Sequence, residues 1–455
     1  MISQAGNIST CRASADGMEG EPNHYVTGTG LNPAVATEKA GSVAPTISEP
    51  TEWVHEAPDG GMTAWLVILG NWCTAFCSFG WVNSIGTFQD YYSSQLLRGY
   101  SNSDISWILS LQVFFMMGSG PIVGKIFDAY GPRWLLIGGS FLHVFGLMMA
   151  SISTEYYQIL LSQGVCSAIG AAAIFQGALA CIGGWFNKRR GAAYGIAVTG
   201  GSVGGVIFPV MVSRLIDKIG FGWAMRISAF LILFLLVIAT LTVKAHRPPK
   251  PKTATKEQLI QPFKEFAFVA VMIGIFFFNF GYFVPITYLV VQGIDAGMEP
   301  SLAQYLVPIL NAASLAGRLL SGFTADKIGR FNAFVIVSYI SAILILAAWI
   351  PASSTGAIIA FTVPFGFFSG AYISLIAALI VQISPLSQIG LRTGYVYFLA
   401  STGGLITGPI AGRIIASPSG WDGIKIMSGV LCLAGTTFVL AARIKVAGWK
   451  LAAIF

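Results

Sequence analysis

From about residue 65 onward the chain is a succession of apolar runs, most near twenty residues long, separated by short polar breaks. Twenty residues of α-helix rise about 30 Å, the thickness of a bilayer's hydrocarbon core. Runs of this kind lie near 65–86, 105–124, 134–152, 157–182, 192–212 and 223–243. A second set follows near 267–290, 301–321, 333–350, 356–382, 394–412 and 426–442. The pattern predicts an all-α membrane protein with twelve transmembrane helices in two six-helix halves. An even number of spans puts both termini on one side.

The polar stretches divide the chain further. Residues 1–58 are rich in Gly, Ser, Thr, Ala and Pro, with no apolar segment of signal-peptide type, and read as a disordered tail. Residues 244–264 are rich in Pro and Lys and form a central loop between the halves at 59–243 and 265–443, leaving 444–455 as a C-terminal tail. Of the 26 Lys and Arg, Arg98, Arg214, Lys218, Arg226, Arg413 and Lys425 fall on one side, and Arg318 lies within a span. All the others fall on the side of the termini. Lys and Arg accumulate in cytosolic loops, so both tails and the central loop are expected in the cytosol. The glycan motif Asn7-Ile8-Ser9 would then be out of reach of glycosylation.

Composition agrees. Charged residues are 10% of the chain, against roughly 25% in ordinary soluble proteins, and apolar residues are 55%. The net charge of +7 is spread among apolar runs rather than gathered on one domain, which argues against a nucleic-acid partner and leaves the lipid bilayer. Five of the six cysteines lie within or against apolar runs, where thiols behave as small hydrophobes. Cys73 and Cys77 are one turn apart, but no His or further Cys converges on them, so no metal site is expected. No phosphate-binding glycine loop stands in a soluble domain, and no cofactor is expected.

An internal repeat supports the two halves. Gly124, Asp128 and Gly131, followed by Arg133, match Gly322, Asp326 and Gly329, followed by Arg330, at a constant offset in the loops after spans 2 and 8. Thr199-Gly200-Gly201 of span 5 is echoed by Thr402-Gly403-Gly404 of span 11. The paired G-x-x-x-D-x-x-G loops resemble the signature of the major facilitator superfamily of secondary transporters. PDGGMTAW, from Pro58 to Trp65 with Asp59, and WFNKRRGAAYGIAVTGGSVGGVIFP, from Trp185 to Pro209 with Arg190, resemble the monocarboxylate transporter family within it. NSIGTFQDYY (Asn83 to Tyr92) and LNAASLAGRLLSGFTADKIGRFN (Leu310 to Asn332) are similar to that family's fungal branch.

The resemblance implies alternating access, with Asp128 and Asp326 as candidate latches. An Asp at a helix end can pair with Arg or cap a neighbouring helix N-terminus. It also implies that Arg318 binds a substrate carboxylate. The chain departs from the animal members, which carry a Lys at the position of Asn83 and an Asp at that of Ser314. An Arg inside a bilayer costs at least about 2.5–3.5 kcal/mol on insertion scales and marks a functional site by default. No Asp or Glu stands in its span, so an anionic ligand, backbone carbonyls or snorkelling to the interface must satisfy it.

Asn83, Asn311, Ser314 and Tyr282 are further candidates for lining the substrate site. His143, mid-span 3, is the one titratable group at depth and the candidate proton relay, against a packing role. The expected function is transport of a small organic acid or anionic metabolite, in the plasma membrane by resemblance. The rival within the class is efflux of a metabolite or drug-like compound without carboxylate selectivity. A transporter-like sensor and a membrane-embedded enzyme lack support, because the central loop is short and no nucleophile–base pair lies in the spans.

Overall fold

A computed structural model describes residues 57–246 and 256–449, with the backbone alone at 102, 103 and 409. The first 56 residues, including the glycan motif, Cys11, Arg12 and Lys39, lie outside the described residues. So do Arg247, Lys250, Lys252 and Lys450. Among the described residues the secondary structure is wholly helical. Twelve of the described helices are long and apolar enough to cross a membrane. They are α1 Met62–Leu96, α2 Asp104–Tyr130, α3 Pro132–Ala150, α4 Tyr156–Trp185, α5 Arg190–Ile219 and α6 Phe221–Thr242. The second set is α7 Phe266–Asp295, α8 Pro300–Ile328, α9 Arg330–Trp349, α10 Thr355–Gln382, α11 Leu386–Ile415 and α12 Gly420–Ala447.

Several helices outrun the apolar stretches that predict them. The run near 65–86 becomes a helix ending at Leu96, because Phe88 and Tyr92 keep packing after the apolar run has ended. Phe88 lies 5.1 Å from Trp81 and Tyr92 lies 5.8 Å from Phe221, ring centre to ring centre. The span expected at 426–442 extends over Gly420–Ala447, into the residues read as the C-terminal tail. The central loop holds a nine-residue linker helix, Lys256–Lys264.

The repeated loops are as short as a loop can be. α2 ends at Tyr130 and α3 begins at Pro132; α8 ends at Ile328 and α9 begins at Arg330. The single residue between them, Gly131 at φ 76° and Gly329 at φ 91°, is in the left-handed region that glycine enters without steric cost. This fixes the place of the preceding Asp, one turn back from the reversal.

Across the halves, α5 packs on α8 and α10, while α2 and α4 pack on α11. Lipid supplies no hydrophobic force between helices, so close backbone approach between small residues carries the association. A Cβ on Gly124 would stand 2.0 Å from the carbonyl oxygen of Gly390, and one on Gly322 would stand 2.6 Å from that of Gly191. The first glycine of each signature is therefore a contact point of the two halves.

Candidate substrate site and gate

The two signature aspartates do the same thing on opposite sides of the interface. Asp128 of α2 accepts hydrogen bonds from the backbone N–H groups of Gly390 (2.9 Å) and Leu391 (2.8 Å). Asp326 of α8 accepts from those of Gly191 (2.8 Å) and Ala192 (2.9 Å). Regular helix begins at Ile389 in α11 and at Arg190 in α5, so each carboxylate takes the second and third helical amides. Those are orphan donors that an N-cap side chain ordinarily satisfies. Here the N-cap residues, Arg189 and Gln388, make no side-chain cap. Each half thus caps a helix of the other, and the negative charge sits on the positive end of the helix dipole.

A second tier braces each capped end. Asp59, held at φ 50°, donates its N–H to the carbonyl of Trp185 (3.0 Å). Its Oδ1 accepts from the N–H of Asn187 (2.7 Å) and of Arg189 (3.3 Å), in the turn that leads into α5. Arg190 donates Nε to the carbonyl of Phe186 (3.0 Å), closing the same turn. At α11 the brace is an ion pair: Arg392 donates through Nη1 and Nη2 to the two carboxylate oxygens of Glu265, both at 2.6 Å. An acid just before α1 and an acid just before α7 thus hold corresponding places. Sequence reasoning singled out Asp59 and missed Glu265. The signal was present, since Glu265 precedes span 7 as Asp59 precedes span 1.

Deeper in the membrane, Arg318 is buried at the α5–α8 contact. Its Nε donates to Ser314 Oγ (3.2 Å), and its Nη1 donates across the interface to the carbonyl of Val198 in α5 (2.5 Å). No described carboxylate pairs with it. Ser202 of α5 donates to Ser314 Oγ (3.3 Å), while the buried ring of Tyr282 in α7 lies 6.0 Å from that of Tyr372 and 6.2 Å from that of Phe365, both in α10. Two turns further along α8, Asn311 Nδ2 donates to Asn83 Oδ1 of α1 (3.1 Å), again joining the halves. The structure therefore brings Arg318 and Ser314 together, with the Asn83–Asn311 bridge at the next level, and places Tyr282 among the aromatic rings of α10. Ser202 and the Val198 carbonyl join the site without having been singled out in the sequence.

His143 belongs elsewhere. Its Nε2 lies 3.1 Å from the carbonyl of Cys77, and its Nδ1 lies 3.0 Å from the carbonyl and 2.9 Å from the hydroxyl of Ser167. These bonds tie α3 to α1 and α4, and none leads to the Arg318 group. The described residues contain no cluster of three or more His, Cys, Asp or Glu that could hold a metal.

The interface so described has two halves, paired aspartate caps and a polar centre. The profile of the Major Facilitator Superfamily matches residues 67–357 and 295–449. The chain belongs to the Major Facilitator Superfamily. It is a multi-pass membrane transporter, not an enzyme. Among facilitator relatives it is 57% identical to MFS transporter asaE of Aspergillus flavus, over 90% of this chain and 95% of that one. It is 52% identical to the Fujikurins efflux protein of Gibberella fujikuroi, over 85% of this chain and 83% of that one. The facilitator FucP, solved in the outward conformation, shares the fold with a TM-score of 0.62 at 16% identity, over 83% of this chain and 99% of that one.

Proposed function

We propose that this facilitator exports an organic secondary metabolite across the plasma membrane, with the latched end and both termini in the cytosol. The observation that carries the reading is the 52% identity, over most of both chains, to a relative named for efflux. It favours metabolite efflux over transport restricted to small organic acids. The segments resembling monocarboxylate transporters support a shared gate more than a shared substrate. Pro58–Trp65 supplies the Asp59 brace, and Trp185–Pro209 supplies the helix end that Asp326 caps.

Export also gives the Arg318 geometry a role. With the cytosolic end latched, the carbonyl of Val198 and the hydroxyl of Ser314 occupy its guanidinium. A substrate bearing an acidic group would take that place while the halves are apart at the cytosolic end. Closing the latch brings Val198 back and displaces the substrate outward. Asn83, Asn311, Ser314 and Tyr282 line the same route. The reading takes no proton step through His143.

Transport into inside-out vesicles tests it, with a panel of organic acids and their methyl esters. Wild-type protein is expected to carry at least one acid into the vesicle lumen. Arg318→Lys, which keeps the charge but loses the planar fork, is expected to be weakened, and Arg318→Gln nearly inactive at equal expression. Uptake confined to right-side-out vesicles would overturn export. Undiminished acid transport by Arg318→Gln would overturn the role of the guanidinium.

A further inference from the structure

The linker helix Lys256–Lys264 is not a simple tether between the halves. Lys256, Ile260, Phe263 and Lys264 recur at the spacing that places residues on one helical face, all four are exposed, and exposed Glu257 lies at the edge of that face beside Lys264. Gln258 and Gln261 fall on the opposite side, while Leu259 and Pro262 turn toward the protein. The helix is docked rather than free. Tyr395 of α11 donates its hydroxyl to the carbonyl of Leu259 (3.3 Å), and the rings of Phe263 and Tyr395 lie 5.0 Å apart. Its C-terminal end runs through Glu265, extended at φ −89° and ψ 110°, into α7 at Phe266. Phe266, the first residue of α7, is itself exposed. Exposed Ile260, Phe263 and Phe266 thus lie within seven residues where the linker runs into the membrane-spanning α7, with two lysines and one glutamate exposed beside them.

We propose that this face is an interfacial anchor whose partner is the anionic headgroup layer of the adjoining leaflet. Ile260 and Phe263 enter the headgroup–acyl boundary while Lys256 and Lys264 meet lipid phosphates. A short helix with apolar and basic residues on one face binds a bilayer in this way, and each lysine strengthens its hold on an anionic surface. The anchor also reaches the gate. Glu265 leaves the helix directly into its ion pair with Arg392, next to the amides of Gly390 and Leu391 that Asp128 caps.

Hydrogen exchange on the full-length purified chain tests this without any transported substrate. The protein is placed singly in nanodiscs of phosphatidylcholine alone or of phosphatidylcholine mixed with phosphatidylglycerol. Amides of 258–264 are expected to exchange about tenfold more slowly in the anionic bilayer. Lys256→Gln with Lys264→Gln is expected to bring exchange there to its rate in the neutral bilayer. Ile260→Ser is expected to remove protection in both bilayers. Equal exchange in the two bilayers, or anionic-lipid protection that survives the double lysine variant, would overturn the proposal. So would protection that appears only with two copies per disc, which would make a second chain the partner.

Discussion

The two aspartate caps are built on one plan and finished differently. Both aspartates cap the second and third amides of a helix in the other half. At α8 the cap is reinforced from its own side. Arg330 approaches Asp326 Oδ1 (3.4 Å), donates to the carbonyl of Asn187 (2.6 Å) and reaches Gln382 Oε1 (3.4 Å). At α2 the corresponding place is taken by Pro132, the first residue of α3, and the arginine falls one position later. One residue turns a helix by about 100°, and Arg133 is exposed. The α5–α8 contact also continues inward to Arg318, whereas α11 relies on Glu265 and Arg392 behind it. A sequence repeat can therefore conserve the cap and still divide the supporting charge unevenly.

The largest effect is expected at Asp326. Asp326→Asn removes the charge from two hydrogen bonds and leaves Arg330 without its carboxylate. Bonds to a charged group contribute about 1.5–3 kcal/mol, so the latched population should fall about tenfold or more. Asp128→Asn loses the same two bonds but strands no arginine, and its fall should be several times smaller. Labelling of a cysteine in place of Ser202, whose hydroxyl meets that of Ser314 across the α5–α8 contact, reads both. An equal fall in the two variants would break the comparison. A smaller contrast sharpens it: Arg330→Gln should raise labelling about fivefold, on the scale of one partly exposed ion pair with its carbonyl bond. Arg133→Gln should leave labelling unchanged, and a matching rise there would make the two arginines equivalent.

Much of this could be read from the sequence, and the part that could not has physical causes. Spans, halves and paired latch residues are local: a hydrophobic run reports burial in lipid, and a G-x-x-x-D-x-x-G loop reports a one-residue reversal with an acid one turn before it. Partners are not local. Nothing adjacent to Asp128 names Gly390, because the pairing depends on how two six-helix halves meet. Arg318 shows the same limit. Its depth and its lack of a neighbouring acid were legible, but the carbonyl of Val198 is a backbone group that no side-chain pattern advertises. Glu265 was visible only by treating the acid before span 1 as something to be sought again before span 7. Helix ends were misjudged where polar residues remain helical, as in α1 beyond residue 86.

The central claim is that two aspartates, each capping a helix of the opposite half, hold the latched end closed. It is tested most directly by double electron–electron resonance in nanodiscs. Spin labels at Lys188 and Lys327, both exposed and outside the capping bonds, report the separation of the halves at that end. Wild-type protein should give a predominantly short distance, and Asp128→Asn combined with Asp326→Asn should move most of the distribution to a longer one. A double variant with the wild-type distribution would contradict the account.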